Sequence, residues 1–104
     1  MKFDNVSVEA KANTYFDGKV VSYAITLENG EKKTLGVIFP GEYKFNTAAA
    51  ERMEITMGKC TACVEGETNF YEYEAGSYFD IPANSFFKIK VDEHAEYVCS
   101  YINK

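Results

Sequence analysis

The sequence predicts a single all-β domain, closed as a sandwich or barrel. Three observations predict it. Gly and Pro fall between short apolar runs at close, regular spacing, which is how hairpin-linked strands are punctuated. Eight Tyr and eight Phe, with no Trp, suit half-buried pleated strands, and most such rings serve a core. No stretch carries the apolar period of a long helix. At 104 residues the chain is the size of one domain. A chain of this length buries roughly two-thirds of its unfolded surface, enough for one core.

Residues 1–12 alternate weakly through Val6, Val8 and Ala10, which fits an extra edge strand or a loose arm ahead of the domain at 13–104. Lys19 to Leu27 is the first clear strand, with Val21, Tyr23, Ile25 and Leu27 on one face. Asn29-Gly30 then signals a hairpin, because both residue types tolerate positive φ. The return strand is Lys33 to Phe39, and Pro40-Gly41 makes a corner. Glu42 to Asn46 is short and extended. Thr47 to Ala50 is a connection with room for one helical turn. Arg52 to Met57 is read as a strand ending at Gly58, and Lys59 to Val64 as its hairpin partner. Phe70 to Tyr73, Tyr78 to Ile81, Phe86 to Val91 and Ala95 to Ile102 complete about nine strands.

The formal net charge of −5 argues against a nucleic-acid polymer as partner, since polymer binding needs a basic face. A small anion such as phosphate needs only a few local donors. Met1-Lys2-Phe3-Asp4 opens no apolar stretch, so no signal peptide is expected, and no run is long enough to span a membrane. Three cysteines close no disulfide framework, which points to the reducing cytoplasm.

Cys60-x-x-Cys63 has redox or zinc spacing, but it lies inside a predicted strand, where an offset of three places the thiols on opposite faces. His94 is the sole histidine and sits in a charged turn, which removes schemes needing two histidines in one chain. Phosphate-cradling glycine loops and nucleophile elbows are absent. Glu51 shares a strand face with Met53, so it enters the barrel if Met53 does.

Gly76-Ser-Tyr-Phe-Asp-Ile-Pro82-Ala-Asn84-Ser-Phe-Phe87 resembles the second cupin motif, with Phe87 where the family carries a His ligand. Counting back from Gly58, the Glu of the first motif falls at Glu51, and its two His positions at Lys44 and Asn46. The resemblance implies a cupin-type double-stranded β-helix, a jelly-roll barrel, that keeps only the Glu. One carboxylate does not hold a transition metal well, so no metal is expected.

A closer resemblance covers residues 13 to 101. It is carried by Asn13-Thr-Tyr15-Phe16-Asp-Gly18-Lys19-Val20, Gly36-Val37, Pro40-Gly41-Glu42-Tyr43-Lys-Phe45-Asn-Thr47 and Glu51-Arg-Met53. Gly58, Tyr73-Glu-Ala75-Gly76, Phe79, Pro82-Ala83-Asn84-Ser85-x-Phe87 and Tyr97-Val-Cys99-Ser-Tyr101 continue it. The chain is similar to the pyrimidine/purine nucleoside phosphorylase family. That resemblance implies phosphorolysis of purine and pyrimidine nucleosides to free base and pentose 1-phosphate.

Such chemistry asks the protein to align phosphate, sugar and base, with phosphate as nucleophile and co-substrate and no other cofactor. The resemblance suggests Tyr43, Phe45, Phe79 and Phe87 as rings facing the cavity, where stacking tolerates any base. Glu51 is the catalytic candidate, able to bind ribose hydroxyls or a base N–H. Thr47 and Ser85 are candidate donors to sugar or phosphate, Tyr101 a candidate for closing one end, and Lys19 the phosphate candidate. Lys88 and Lys90 read as a solvated face. A homodimer is expected from cupin edge pairing. Two further readings stand beside this one: a metal-free cupin that binds a small metabolite without turning it over, and a metal enzyme using Glu51 with unconventional ligands.

Overall fold

The computed structural model describes residues 1–102. Ten strands follow in order: β1 (Ser7–Val8), β2 (Asn13–Tyr15), β3 (Val20–Thr26), β4 (Lys32–Ile38), β5 (Gly41–Asn46), β6 (Ala50–Val64), β7 (Tyr71–Glu74), β8 (Tyr78–Ile81), β9 (Phe86–Val91) and β10 (Ala95–Ile102). The described residues form no helix, so Thr47 to Ala50 makes no helical turn and Ala50 already opens β6.

The largest departure from expectation is β6. Arg52–Met57 and Lys59–Val64 are not hairpin partners but one strand of 15 residues. Its first half pairs with β10 and β8 in one sheet; its second half pairs with β9 and β7 in the other. Gly58 is where the strand changes sheets, at φ 75°. A Cβ there would run into the backbone carbonyl of His94. Glycine followed by a charged residue reads as a turn, but here it supplies a bend that lets one strand serve two sheets.

The path β1-β3-β4-β10-β6-β9-β5 curls the two sheets around a common interior. Ile38, Met53, Ile55, Ala62, Phe79, Ile81, Phe87, Ile89 and Val91 fill it. On β3 the buried set is Val20, Ser22 and Ile25, while Tyr23 lies exposed on the outer surface. In the β3–β4 hairpin only Gly30 takes positive φ; Asn29 instead accepts the Glu31 N–H on its side-chain oxygen at 2.9 Å. A bulge at Thr56 shifts the β6–β10 register, placing Tyr97 opposite Ile55.

Candidate active site

The two sheets meet around a cavity of about 160 Å³ whose rim includes the exposed rings of Tyr15 and Tyr101. Its lining divides by parent sheet. From β3, β4 and β10 come the apolar Ile38 and five side chains with an O–H or S–H, Ser22, Thr34, Tyr97, Cys99 and Tyr101. From β5 and β9 come Phe45 and Phe87, stacked at 5.5 Å and 24°. Tyr15 leans edge-on against Phe45 at 6.0 Å. Glu51 and Met53 project from β6, the strand both sheets share.

Strand register builds the hydroxyl wall. Gly36 pairs with Ser22 on one side and Tyr97 on the other; Thr34 pairs with Cys99, and Tyr101 with Glu51. A Cβ at Gly36 would overlap the Tyr97 ring, so the missing side chain gives that ring room to lie across β4. There its hydroxyl comes close to Ser22, which is 3% exposed. Thr34 stands in the same way beside Tyr101 and Cys99.

Glu51 is the one acid lining the cavity among the described residues, and no Lys, Arg or His lines it. Burial pushes its carboxyl above the ordinary value, and the hydrogen bond from Cys99 offsets this in part. The Cys99 Sγ donates to Oε1 of Glu51 at 3.4 Å. Burial, then the neighbouring Glu51 charge, pushes the Cys99 thiol up. Burial is also the leading cause of the upward shifts of Tyr97 and Tyr101. The wall therefore stays a set of neutral donors at neutral pH, facing a single carboxyl whose proton affinity is raised.

Of the residues singled out from sequence, Glu51, Phe45, Phe87 and Tyr101 line this cavity. The others lie elsewhere. The Tyr43 hydroxyl donates to the carbonyls of Phe39 at 2.8 Å and Pro40 at 3.0 Å, which ties it to the corner before β5. Thr47 Oγ1 donates to the Pro82 carbonyl at 2.7 Å and accepts from the Ser85 N–H at 3.0 Å, pinning two loops together. Ser85 Oγ donates to Glu65. Phe79 packs between Tyr73 and Phe87 in the core. Lys19 is exposed in the β2–β3 turn and is not among the cavity lining. Lys90 pairs with Glu42 at 3.1 Å on the outer surface.

Tyr15, Ser22, Thr34, Ile38, Asn46, Met53, Tyr97 and Cys99 complete the lining and were not proposed for the site from sequence. Ser22 carried a usable signal, as a small polar residue inside the run Val20 to Ile25, whereas Thr34 follows Lys32 and Lys33 and does not stand out.

The donor set does not suit a transition metal. The cupin ligand positions hold Lys44, Asn46, Glu51 and Phe87, and Lys44 lies over the Phe86 ring at 4.5 Å. Among the described residues no three His, Cys, Asp or Glu side chains come together. Cys60 and Cys63 are free thiols on β6; Cys60 is buried, with its pKa raised to about 11 by burial. His94 approaches Glu96 at 3.3 Å, away from the cavity.

Four similarities to known proteins bear on this site. A solved cupin described as RmlC-like, from Shewanella frigidimarina, superposes with a TM-score of 0.69 at 13% identity, over 88% of this chain and 81% of that one. It matches the fold alone, and the fold is a single-domain cupin. A solved protein of unknown function from Acinetobacter sp. ADP1 superposes with a TM-score of 0.95 at 43% identity, covering 97% and 98% of the two chains. A protein named pyrimidine/purine nucleoside phosphorylase, from Herminiimonas arsenicoxydans, is 52% identical over 101 residues, 97% of each chain. The profile of the family described as pyrimidine/purine nucleoside phosphorylase matches residues 10–101, a span that takes in every residue lining the cavity. By that match, this chain belongs to the pyrimidine/purine nucleoside phosphorylase family.

Proposed function

We propose that the protein cleaves purine and pyrimidine nucleosides with phosphate, releasing free base and pentose 1-phosphate. The observation that carries the reading is the family match across residues 10–101. The two-walled cavity supports it. A base stacks against Phe45 and Phe87, which offer a π-face to either ring size. The sugar lies between the base and the polar wall. Glu51 stands at the seam between the walls, where the C1′–N bond falls and where the leaving base needs a hydrogen-bond partner. The enclosed space is smaller than the several hundred Å³ of a usual ligand pocket. A nucleoside therefore enters in part and spans the rim between Tyr15 and Tyr101.

No protein nucleophile is needed, because phosphate attacks the sugar itself. The protein's contribution is alignment and stabilisation of charge on a sugar that is cation-like at the transition state. The reading also carries a cytoplasmic location, which fits three free cysteines. It carries a homodimer as well, with Tyr23 and Met57 as exposed apolar side chains on the outer surface. Light scattering tests the dimer, and a monomer mass removes it.

The deciding experiment incubates the protein with inosine and, separately, uridine, with and without phosphate, and separates the products. Free base appearing only with phosphate, together with ribose 1-phosphate, supports the phosphorylase. Base released equally without phosphate makes the protein a hydrolase. No release under either condition makes it a binding module.

A further inference from the structure

The cavity raises a problem for any enzyme that must hold phosphate: among the described residues its lining has one carboxyl and no cation. Lys19 is outside it. Lys33 is the cation whose charge reaches Cys99, but its Nζ donates to Ser100 Oγ at 2.6 Å and it does not line the space. The hydroxyl wall offers another way to hold an oxyanion. Ser22, Thr34, Tyr97 and Tyr101 are neutral donors on three adjacent strands, and hydroxyl rotors can turn toward a ligand. Sheltered neutral donors aimed at an anion stabilise it without a formal positive charge.

We propose that this wall is the phosphate subsite and that Glu51, beside it, recognises the hydroxyl that hydrogen phosphate keeps at neutral pH. The proposal rests on the phosphorylase reading. An ionised carboxyl only accepts hydrogen bonds, so whatever lies against Glu51 has to donate. Hydrogen phosphate and hydrogen arsenate bring such a proton. Sulfate does not, and its bare charge is repelled.

The reaction then balances within the site. An unprotonated oxygen of hydrogen phosphate bonds to C1′ as the C1′–N bond breaks, and the bonding pair stays on the base. The phosphate proton passes to Glu51, and Glu51 gives it to the base nitrogen. One hydrogen phosphate and one nucleoside become one pentose 1-phosphate and one neutral base, and Glu51 ends ionised as it began. The raised proton affinity of Glu51 suits it to this transfer.

The test uses the intact protein with phosphate, arsenate and sulfate as probes. In the wild type, arsenate replaces phosphate in releasing base, and sulfate in about tenfold excess over phosphate leaves the rate nearly unchanged. Calorimetry on the free protein registers phosphate binding and none for sulfate. Thr34→Val or Ser22→Ala raises the phosphate KM about tenfold, as loss of one donor to a charged group predicts, with the nucleoside KM within about twofold. Glu51→Gln, whose amide can donate, binds sulfate as well as phosphate. Sulfate competing with phosphate in the wild type overturns the proposal while leaving the phosphorylase intact. So does a phosphate KM that rises in Lys19→Ala but not in Thr34→Val or Ser22→Ala. Wild-type protein that releases no base with phosphate overturns the phosphorylase reading and this proposal together. If a wall variant fails to fold, the wild-type sulfate measurement still decides.

Discussion

Replacing Gly36 with Ala tests how the hydroxyl wall is built, independently of any assigned activity. An added Cβ would overlap Cζ, Cε2 and Oη of Tyr97 at separations real Cβ atoms do not show. The ring, 8% exposed, cannot yield by a few tenths of an ångström and has to swing away. Overpacking of this kind costs about 1–3 kcal/mol. That is a substantial share of the roughly 5–15 kcal/mol that a domain of this size typically holds. In thermal unfolding this lowers Tm by roughly 5–20 °C, and in urea it lowers the midpoint at unchanged slope. A double-mutant cycle isolates the cause. In a Tyr97→Leu background the Gly36→Ala cost falls to under about 1 kcal/mol, because the ring that clashed is gone. If Gly36→Ala unfolds within about 0.5 kcal/mol of the wild type, the ring does not depend on the missing side chain. If Tyr97→Leu gives no rescue, the cost lies in the backbone of β4 instead.

Gly58→Ala is more severe, since its Cβ meets a backbone carbonyl and φ is positive; a loss of about 3 kcal/mol or more is expected, read as insoluble or unfolded protein by circular dichroism. Phe87→Ala, at a site 2% exposed, costs about 3–5 kcal/mol in denaturant unfolding. Phe45→Ala, at the partly buried ring of the same stack, raises KM for inosine and uridine together, by roughly fivefold to a hundredfold if stacking holds the base. A rise for one nucleoside alone would contradict a shared stacking wall. Glu51→Gln alters the pH dependence of stability. The folded carboxyl holds its proton above the ordinary value of 4.5, so over that window the folded chain binds a proton the unfolded chain has lost, and wild-type stability falls as pH rises. Glu51→Gln removes that loss, and its advantage over wild type grows as pH rises above 4.5 and levels off once the folded carboxyl has ionised, in paired urea titrations.

Much of the fold could be read from the chain because its punctuation is local. The Pro82-Ala83-Asn84 corner and the Asn29-Gly30 hairpin each fix a turn within a few residues, and the strand spans around them follow. β6 defeated that reasoning. Gly58 bends the strand without reversing it, and the difference lies in what surrounds it: β10 and β8 hold the chain before the glycine, β9 and β7 the chain after it. Glycine reports a need for an unusual backbone, not which one.

The site divided in the same way. Glu51 was legible through its offset of two from Met53, since strand alternation carries both inward together. Phe45 and Phe87 were legible as rings at positions matched by the family resemblance, and the structure pairs them directly across β5 and β9. Tyr43 and Thr47 sat in the same matched blocks and look equally functional in sequence, but their hydroxyls are taken up by backbone carbonyls. Matched blocks mix residues kept for corners with residues kept for the cavity, and hydrogen-bond partners separate the two. The hydroxyl wall was the hardest part to see, because each member is an ordinary Ser, Thr or Tyr and only register makes them neighbours. Ser22, Gly36 and Tyr97 stand in one row across three strands, with the glycine as the gap that lets the ring cross. The polar half of this cavity is therefore a property of pairing, whereas the aromatic half can be read from single residues, and substitutions that disturb register strike the polar half first.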